Sequence, residues 1–229
     1  ALLEERLQDA DGQFSRTLEA LQVFEQPKGV APPPGFSAVL RPYQAIGLGW
    51  LLAMGQAGLG VCLADDMGLG KTVQVLALLA WRKQQGAAFP SLVVLPRSLI
   101  FNWSSEAERF APMLRQGFYL GTQRNQMLKK LDSVDVLFTT YGTLRQNPVP
   151  LAGKRFDYCI LDESQAIKNA DSATAKAVRT IRADRRLAMT GTPVENRLAE
   201  LFSQLEFLNP GLFGESFLRQ FSGGQLILS

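Results

Sequence analysis

The 229-residue sequence has no histidine, only two cysteines and no long apolar run. Each shortage removes a class of function. Without histidine the usual zinc ligand sets are missing. Cys62 and Cys159 each lie inside an apolar stretch, which reads as two buried free thiols rather than a disulfide framework. No apolar run approaches the roughly 20 residues that a membrane helix requires, so no membrane partner is expected. The opening ALLEERLQDADGQF is amphipathic and acidic, unlike a signal peptide. An intracellular protein is expected, cytoplasmic or nucleoid-associated in a bacterium and nuclear in a eukaryote. A surplus of charge of one sign is also lacking: the net charge is +3. That permits contact with nucleic acid without arguing for it, because local clustering is decisive.

What is present is an ordinary globular composition, 46% apolar and 20% charged, enough for one large domain or one domain with an appendage. From Ala1 to about Glu25 apolar residues recur loosely at helical spacing. Pro27, Pro32, Pro33 and Pro34 then make a connector that cannot be helical throughout. The expected division is residues 1–35, a helical extension with a proline-rich connector, and residues 36–229, the main domain. In that domain short apolar runs alternate with longer helical patterns: GVCLA (60–64), SLVVL (91–95), GFYLG (117–121), DVLFTT (135–140), YCILD (158–162) and RLAMT (186–190). Several are continuously apolar, as strands covered on both faces are. The pattern predicts an α/β fold with a mostly parallel central sheet flanked by helices, and ligands beyond the carboxyl ends of its strands.

The chemistry falls just there. After GVCLA comes Asp65-Asp66-Met67-Gly68-Leu69-Gly70-Lys71-Thr72, then an apolar helix. Gly68 and Gly70 allow a tight turn with inward N–H groups, and the helix N-terminus adds donors and partial positive charge. Lys71 suits β- and γ-phosphates, and the Thr72 hydroxyl suits Mg²⁺. Asp65 stands where the generic pattern has glycine. At the end of YCIL, Asp162 can hold the metal through water and Glu163 can polarise the attacking water. Alone, an Asp-Glu pair is commonly a solvated turn; its place downstream of the glycine loop gives it meaning.

Taken together, six ordered blocks across about Leu40–Phe221 resemble the first RecA-like lobe of a superfamily-two helicase, specifically the Swi/Snf family of DNA translocases, and most closely its bacterial branch. LRPYQ with Gly47 and Trp50 resembles the adenine-recognising segment, which implies nucleotide contacts at Arg41 and Gln44. ADDMGLGKT resembles the family's Walker A block, where an acidic residue replaces the first glycine; Met67 and Leu69 are carried over with that loop. LVVLPRSLIFNW resembles motif Ia with its trailing Trp103, and DVLFTTYGTLR the next DNA-facing block. LDESQAIKN resembles the Asp-Glu-x-His/Gln box, with Gln165 at the nucleotide and Ser164 where a smaller residue is usual. LAMTGTPVEN resembles motif III.

The resemblance implies ATP and Mg²⁺ as cofactors and the double-stranded DNA backbone as partner. Such a grip reads no sequence, so it goes to phosphates. Arg97, Ser98, Thr139, Thr140, Tyr141, Gly142 and Lys168 follow strand ends or the acidic box and are the candidate DNA contacts. The blander alternatives are a surface charge for Arg97, a buried strand position for Thr139 and a packing role for Tyr141. Thr190 and Gly191 are implied to couple the γ-phosphate site to the DNA path, with Thr192 beside them. Thr192 is also explained by capping alone, since Thr192-Pro193-Val194-Glu195 is a capping box with proline at the first helical position. The family's arginines come from a second RecA-like lobe. No second set of βα units precedes Ser229, so weak turnover is expected of this piece alone. The competing readings are a nucleotide-regulated binding module without turnover, an RNA helicase lobe, and a P-loop enzyme acting on small molecules.

Overall fold

The six apolar runs become the six strands of one sheet in the computed structural model, which describes residues 28–191 and 198–211. The strands are β1 (Val61–Leu63), β2 (Ser91–Leu95), β3 (Gln116–Phe118), β4 (Val136–Thr140), β5 (Arg155–Leu161) and β6 (Arg182–Met189). Their spatial order is β1-β6-β5-β2-β4-β3, and every pair is parallel. The helices are α1 (Pro42–Gln56), α2 (Lys71–Gln84), α3 (Ile100–Phe110), α4 (Arg124–Lys129), α5 (Tyr141–Gln146), α6 (Val149–Ala152), α7 (Ala173–Arg179) and α8 (Leu198–Leu208).

Alternation along the strands divides the core between two faces. In β2, Val93 and Leu95 face one cluster with Leu48, Leu51, Leu76 and Trp103, while Leu92 and Val94 face another with Leu144, Val178 and Phe207. Both faces are therefore dry, which is why SLVVL and VLFTT are buried at every position. Helix α2 is buried from Gln74 through Ala80, wedged against α1 as well as the sheet.

Two strands are longer than their apolar runs. β5 begins at Arg155 and β6 at Arg182, where Arg155 pairs with Arg182 and Phe156 with Ala183. Their first residues lie at the sheet's amino edge, where charged side chains reach solvent and hydrophobic pattern no longer marks pairing. β3 starts and ends before the GFYLG run does, although Tyr119 beyond it is fully buried. From Glu200 onward the buried positions of α8 are Ser203, Gln204, Phe207 and Leu208, while Leu201, Phe202 and Leu205 are half-buried. The guanidinium of Arg186 lies over the Phe207 ring and donates to the Phe207 carbonyl. The connector from Lys28 is not helical, and Val30 N–H donates to the Ala45 carbonyl of α1. The N-terminal helix expected up to Glu25 and the Thr192–Glu195 capping box lie outside the described residues. No helix among the described residues is long and apolar enough to cross a membrane.

Candidate active site

Register brings the motif-bearing strand ends to one edge. Leu63 of β1 pairs with Met189 of β6, and Leu161 of β5 pairs with Ala188. The loop after β1 and the carboxylates after β5 thus flank the end of β6, about 10 Å apart at two strand spacings. Along this carboxyl edge follow the glycine loop, Thr190–Gly191, Asp162–Glu163, Arg97–Ser98, and Thr140–Gly142.

The glycine loop has the expected left-handed turns, with φ of 84° at Gly68 and 77° at Gly70. Gly70 is the N-cap of α2; its left-handed backbone favours glycine, and a Cβ there would sit 2.5 Å from the Gln44 amide nitrogen, so that side chain would have to shift. Gln44 is buried, and both ends of its amide are engaged. Its Oε1 accepts from Arg41 N–H (2.9 Å), and its Nε2 donates to the Leu69 carbonyl (3.0 Å), which also takes the Tyr43 hydroxyl (2.8 Å). Arg41 is exposed at the N-cap of α1. Lys71 Nζ donates to the carbonyls of Asp65 (2.6 Å) and Asp66 (3.1 Å). Asp65, the residue in the glycine's place, accepts from Gln74 Nε2 at 2.9 Å and so ties the loop to α2. Thr72 is half-buried on the first turn of α2, while the Met67 side chain is 77% exposed. Beside the loop a cavity of about 440 Å³ opens, lined in part by Tyr43, Trp50, Asp65 and Gln74.

Asp162 is buried. Its Oδ2 accepts from the Trp103 indole N–H (2.7 Å), its Oδ1 from Glu163 N–H (2.9 Å), and its carbonyl from the Tyr141 hydroxyl (2.7 Å). Burial outweighs those hydrogen bonds and the Lys71 charge, raising its carboxyl above the ordinary aspartate value. Among the described residues it has no ion-pair partner. Glu163 is the one non-glycine described residue with positive φ (50°), a conformation that surrounding contacts must hold. Its Oε2 accepts from Gln165 Nε2 (2.6 Å), and Gln165 Oε1 accepts from the Thr190 hydroxyl (3.2 Å). Thr190 N–H donates to Leu63 O, and a Cβ on Gly191 would lie 2.7 Å from Met67 Cγ. Thr190 and Gly191 are therefore packed between the glycine loop and the carboxylates. Thr192 lies outside the described residues.

These residues fit a magnesium-bound nucleoside triphosphate. A Cβ on Gly68 would meet nothing within 4 Å, so the loop has open space above it, next to a helix N-terminus and an ammonium. Asp162 offers a desolvated carboxylate without a cation. No group of three or more His, Cys, Asp or Glu gathers for a metal among the described residues. That suits a cation held by one carboxylate, a hydroxyl, waters and phosphates rather than by a protein cage.

The candidate DNA contacts separate by burial. Arg97, Ser98, Gly142 and Lys168 are exposed. Thr139 is not: it is fully buried, and its hydroxyl donates to the Tyr119 carbonyl at 3.0 Å. Of the two readings offered for this residue, the buried strand position is the one observed, because both faces of β4 are covered. Thr140 is nearly buried and caps α5 by accepting from Thr143 N–H (3.0 Å). The Tyr141 hydroxyl is spent on Asp162 O, and burial raises it well above the ordinary phenol value. Both cysteines are free thiols; Cys159 is buried as expected, whereas Cys62 is only half-buried, and burial pushes them up to about 12 and about 11 respectively. Sequence reasoning placed Trp103 in a block without a task; its hydrogen bond to Asp162 gives it one.

A parallel sheet of this order, with a glycine loop after its first strand and acidic residues after its fifth, defines a RecA-like P-loop lobe. The chain belongs to the SNF2 family: residues 43–224 match the SNF2-related domain. It is 39% identical over 185 residues to the putative ATP-dependent helicase/translocase YwqA of Bacillus subtilis, covering 79% of this chain and 20% of that protein. It is 36% identical over 216 residues to the TATA-binding protein-associated factor MOT1 of Saccharomyces cerevisiae, covering 87% and 12%. Among solved structures, the Sulfolobus solfataricus SWI2/SNF2 ATPase core in complex with dsDNA matches at a TM-score of 0.75 and 39% identity, covering 85% of this chain and 40% of that one. The chain thus spans about a fifth or less of these curated relatives.

Proposed function

We propose that this chain is the ATP-binding lobe of a DNA-dependent ATPase that translocates on double-stranded DNA and remodels protein–DNA complexes without separating the strands. The observation that carries the proposal is the meeting of three motifs at one sheet edge: the Lys71 loop, Asp162–Glu163, and the Thr190–Gln165–Glu163 hydrogen-bond chain. The dsDNA complex of the Sulfolobus relative supports the choice of partner.

In this reading the N–H groups of Gly68 to Thr72 cradle the phosphates, and Lys71 exchanges its two loop carbonyls for β- and γ-phosphate oxygens. Gln44 releases Leu69 O and presents its amide to the adenine edge, with Arg41 beside it. Thr72 and Asp162 hold the magnesium, which when bound neutralises charge on the β- and γ-phosphates. Glu163 orients and polarises a water toward the γ-phosphorus; that O–P bond forms as the bond to the β–γ bridging oxygen breaks, releasing ADP and phosphate. Thr190, through Gln165, holds the Glu163 carboxylate and reports the state of that site to motif III. Arg97, Ser98, Gly142 and Lys168 meet DNA phosphates, which suits a motor that must not read sequence. A second RecA-like lobe of the same protein supplies arginines; lack of such a group lowers turnover about 10³–10⁵-fold, so this lobe alone turns over slowly.

The test is ATP hydrolysis by the full-length protein with duplex DNA, single-stranded DNA and structured RNA. Greatest stimulation by duplex, with no strand displacement, is expected. Stimulation by RNA alone would instead make it an RNA helicase, and nucleotide binding without turnover would make it a regulated binding module.

A further inference from the structure

We infer that Trp103 and Tyr141 are positioning residues that carry the state of the DNA-facing turns to Asp162, so that DNA contact sets the geometry of the metal-holding carboxylate. The inference rests on the functional reading above and adds a route to it. In the sheet, β5 lies between β6 and β2, so Asp162 stands where the nucleotide half of the carboxyl edge meets the half bearing Arg97–Ser98 and Gly142. One side chain crosses to it from each DNA-facing block. Six residues beyond Arg97, Trp103 on the first turn of α3 donates its indole N–H to Asp162 Oδ2 at 2.7 Å. Next to Gly142, the Tyr141 hydroxyl donates to Asp162 O at 2.7 Å. The first bond fixes the carboxylate and the second fixes the peptide leading into Glu163.

Three features set this apart from ordinary satisfaction of buried donors. The acceptor of the indole is an ionisable carboxylate, which makes the bond charge-assisted and directional. The indole is only 2% exposed and packed against Phe138 of β4, with centroids 6.1 Å apart, so both DNA-facing blocks share one rigid contact. A close-packed interior passes a small displacement on rather than absorbing it. Finally, the next residue is Glu163 with its positive φ, so movement of the Asp162 peptide reorients the group that faces the attacking water.

The experiment uses full-length protein carrying Trp103→Phe or Tyr141→Phe, each of which removes one donor and keeps a ring. For each, kcat and KM for ATP are measured with and without saturating duplex DNA, alongside the Mg²⁺ concentration for half-maximal rate, DNA affinity by fluorescence anisotropy, and thermal melting. The expected result is a fall in the ratio of stimulated to unstimulated kcat, about tenfold in Trp103→Phe, which loses a charge-assisted hydrogen bond, and about fivefold in Tyr141→Phe, which loses a neutral one. In Trp103→Phe the Mg²⁺ requirement also rises several-fold, and in both variants DNA affinity stays within about twofold of the parent. A merely structural role would lower the melting temperature and leave that ratio and the Mg²⁺ requirement unchanged, which would overturn the inference. Loss explained wholly by weaker DNA binding would overturn it as well. Should Trp103→Phe fail to fold, Tyr141→Phe alone decides by the same ratio. A parent protein without DNA stimulation would defeat the functional reading itself, a result distinct from failure of the two variants.

Discussion

The two edges of the sheet treat their buried and half-buried aspartates in opposite ways. At the amino edge Asp157 accepts two hydrogen bonds from Arg82 (2.9 and 2.8 Å) and one from Arg185 (2.7 Å), while Asp135 accepts from Lys83, both guanidinium donors of Arg115, and Arg115 N–H. At the carboxyl edge the described residues give the Asp162 carboxylate an indole and a peptide N–H. Its neighbour Glu163 is strained, and the buried Ser164 hydroxyl has no hydrogen-bond partner among the described residues. One edge pairs its aspartates with cations, and the other carries the carboxylate proposed to hold magnesium. The parallel topology places the two at opposite ends of the same strands.

That contrast can be broken in stages. The largest effect on folding is expected from Asp157→Asn, which strands two arginines around a side chain only 4% exposed; denaturant titration should show a loss of about 3 kcal/mol. Acid should act next, through Asp135. Burial favours its neutral form, but hydrogen bonds from Arg115 and Lys83 prevail and hold it at about 2, below the ordinary 3.8. A lowered value stabilises the fold above pH 3.8, and that contribution disappears as pH falls toward about 2. Stability against pH for Asp135→Asn should therefore lack this part of the acid limb. Asp162→Asn should do the reverse. Burial raises its value in the fold, so ionisation destabilises as pH rises through it; the variant should melt at a higher temperature than the parent at neutral pH, while losing ATP turnover. The smallest change is Ser164→Ala, expected to stabilise by about 0.5–1 kcal/mol by removing an unsatisfied buried hydroxyl. If it destabilises instead, that hydroxyl has a partner and the carboxyl edge is less incomplete than described.

Much of this was legible in the residues. Runs such as SLVVL and VLFTT read as strands dry on both faces, as they are, and GLGKT after such a run reads as a phosphate loop at a helix start. The charged starts of β5 and β6 were hidden because strand pairing continues past the point where side chains leave the core. Burial of Thr139 was hidden because both readings of a threonine at a strand end have the same sequence; only the register with β2, Thr139 opposite Val94, decides. The bonds from Trp103 and Tyr141 to Asp162 join residues 59 and 21 apart. They depend on β5 lying next to β2, which no local pattern encodes.

The central claim is that the Lys71 loop and the Asp162–Glu163 carboxylates enclose one magnesium-bound triphosphate. A crystal structure of the full-length protein with magnesium and a non-hydrolysable ATP analogue tests it most directly. The account predicts Lys71 Nζ on the β- and γ-phosphates, freed from the carbonyls of Asp65 and Asp66, with Asp162 on the metal directly or through water. A nucleotide bound elsewhere, with Lys71 still tied to its own loop, would contradict it.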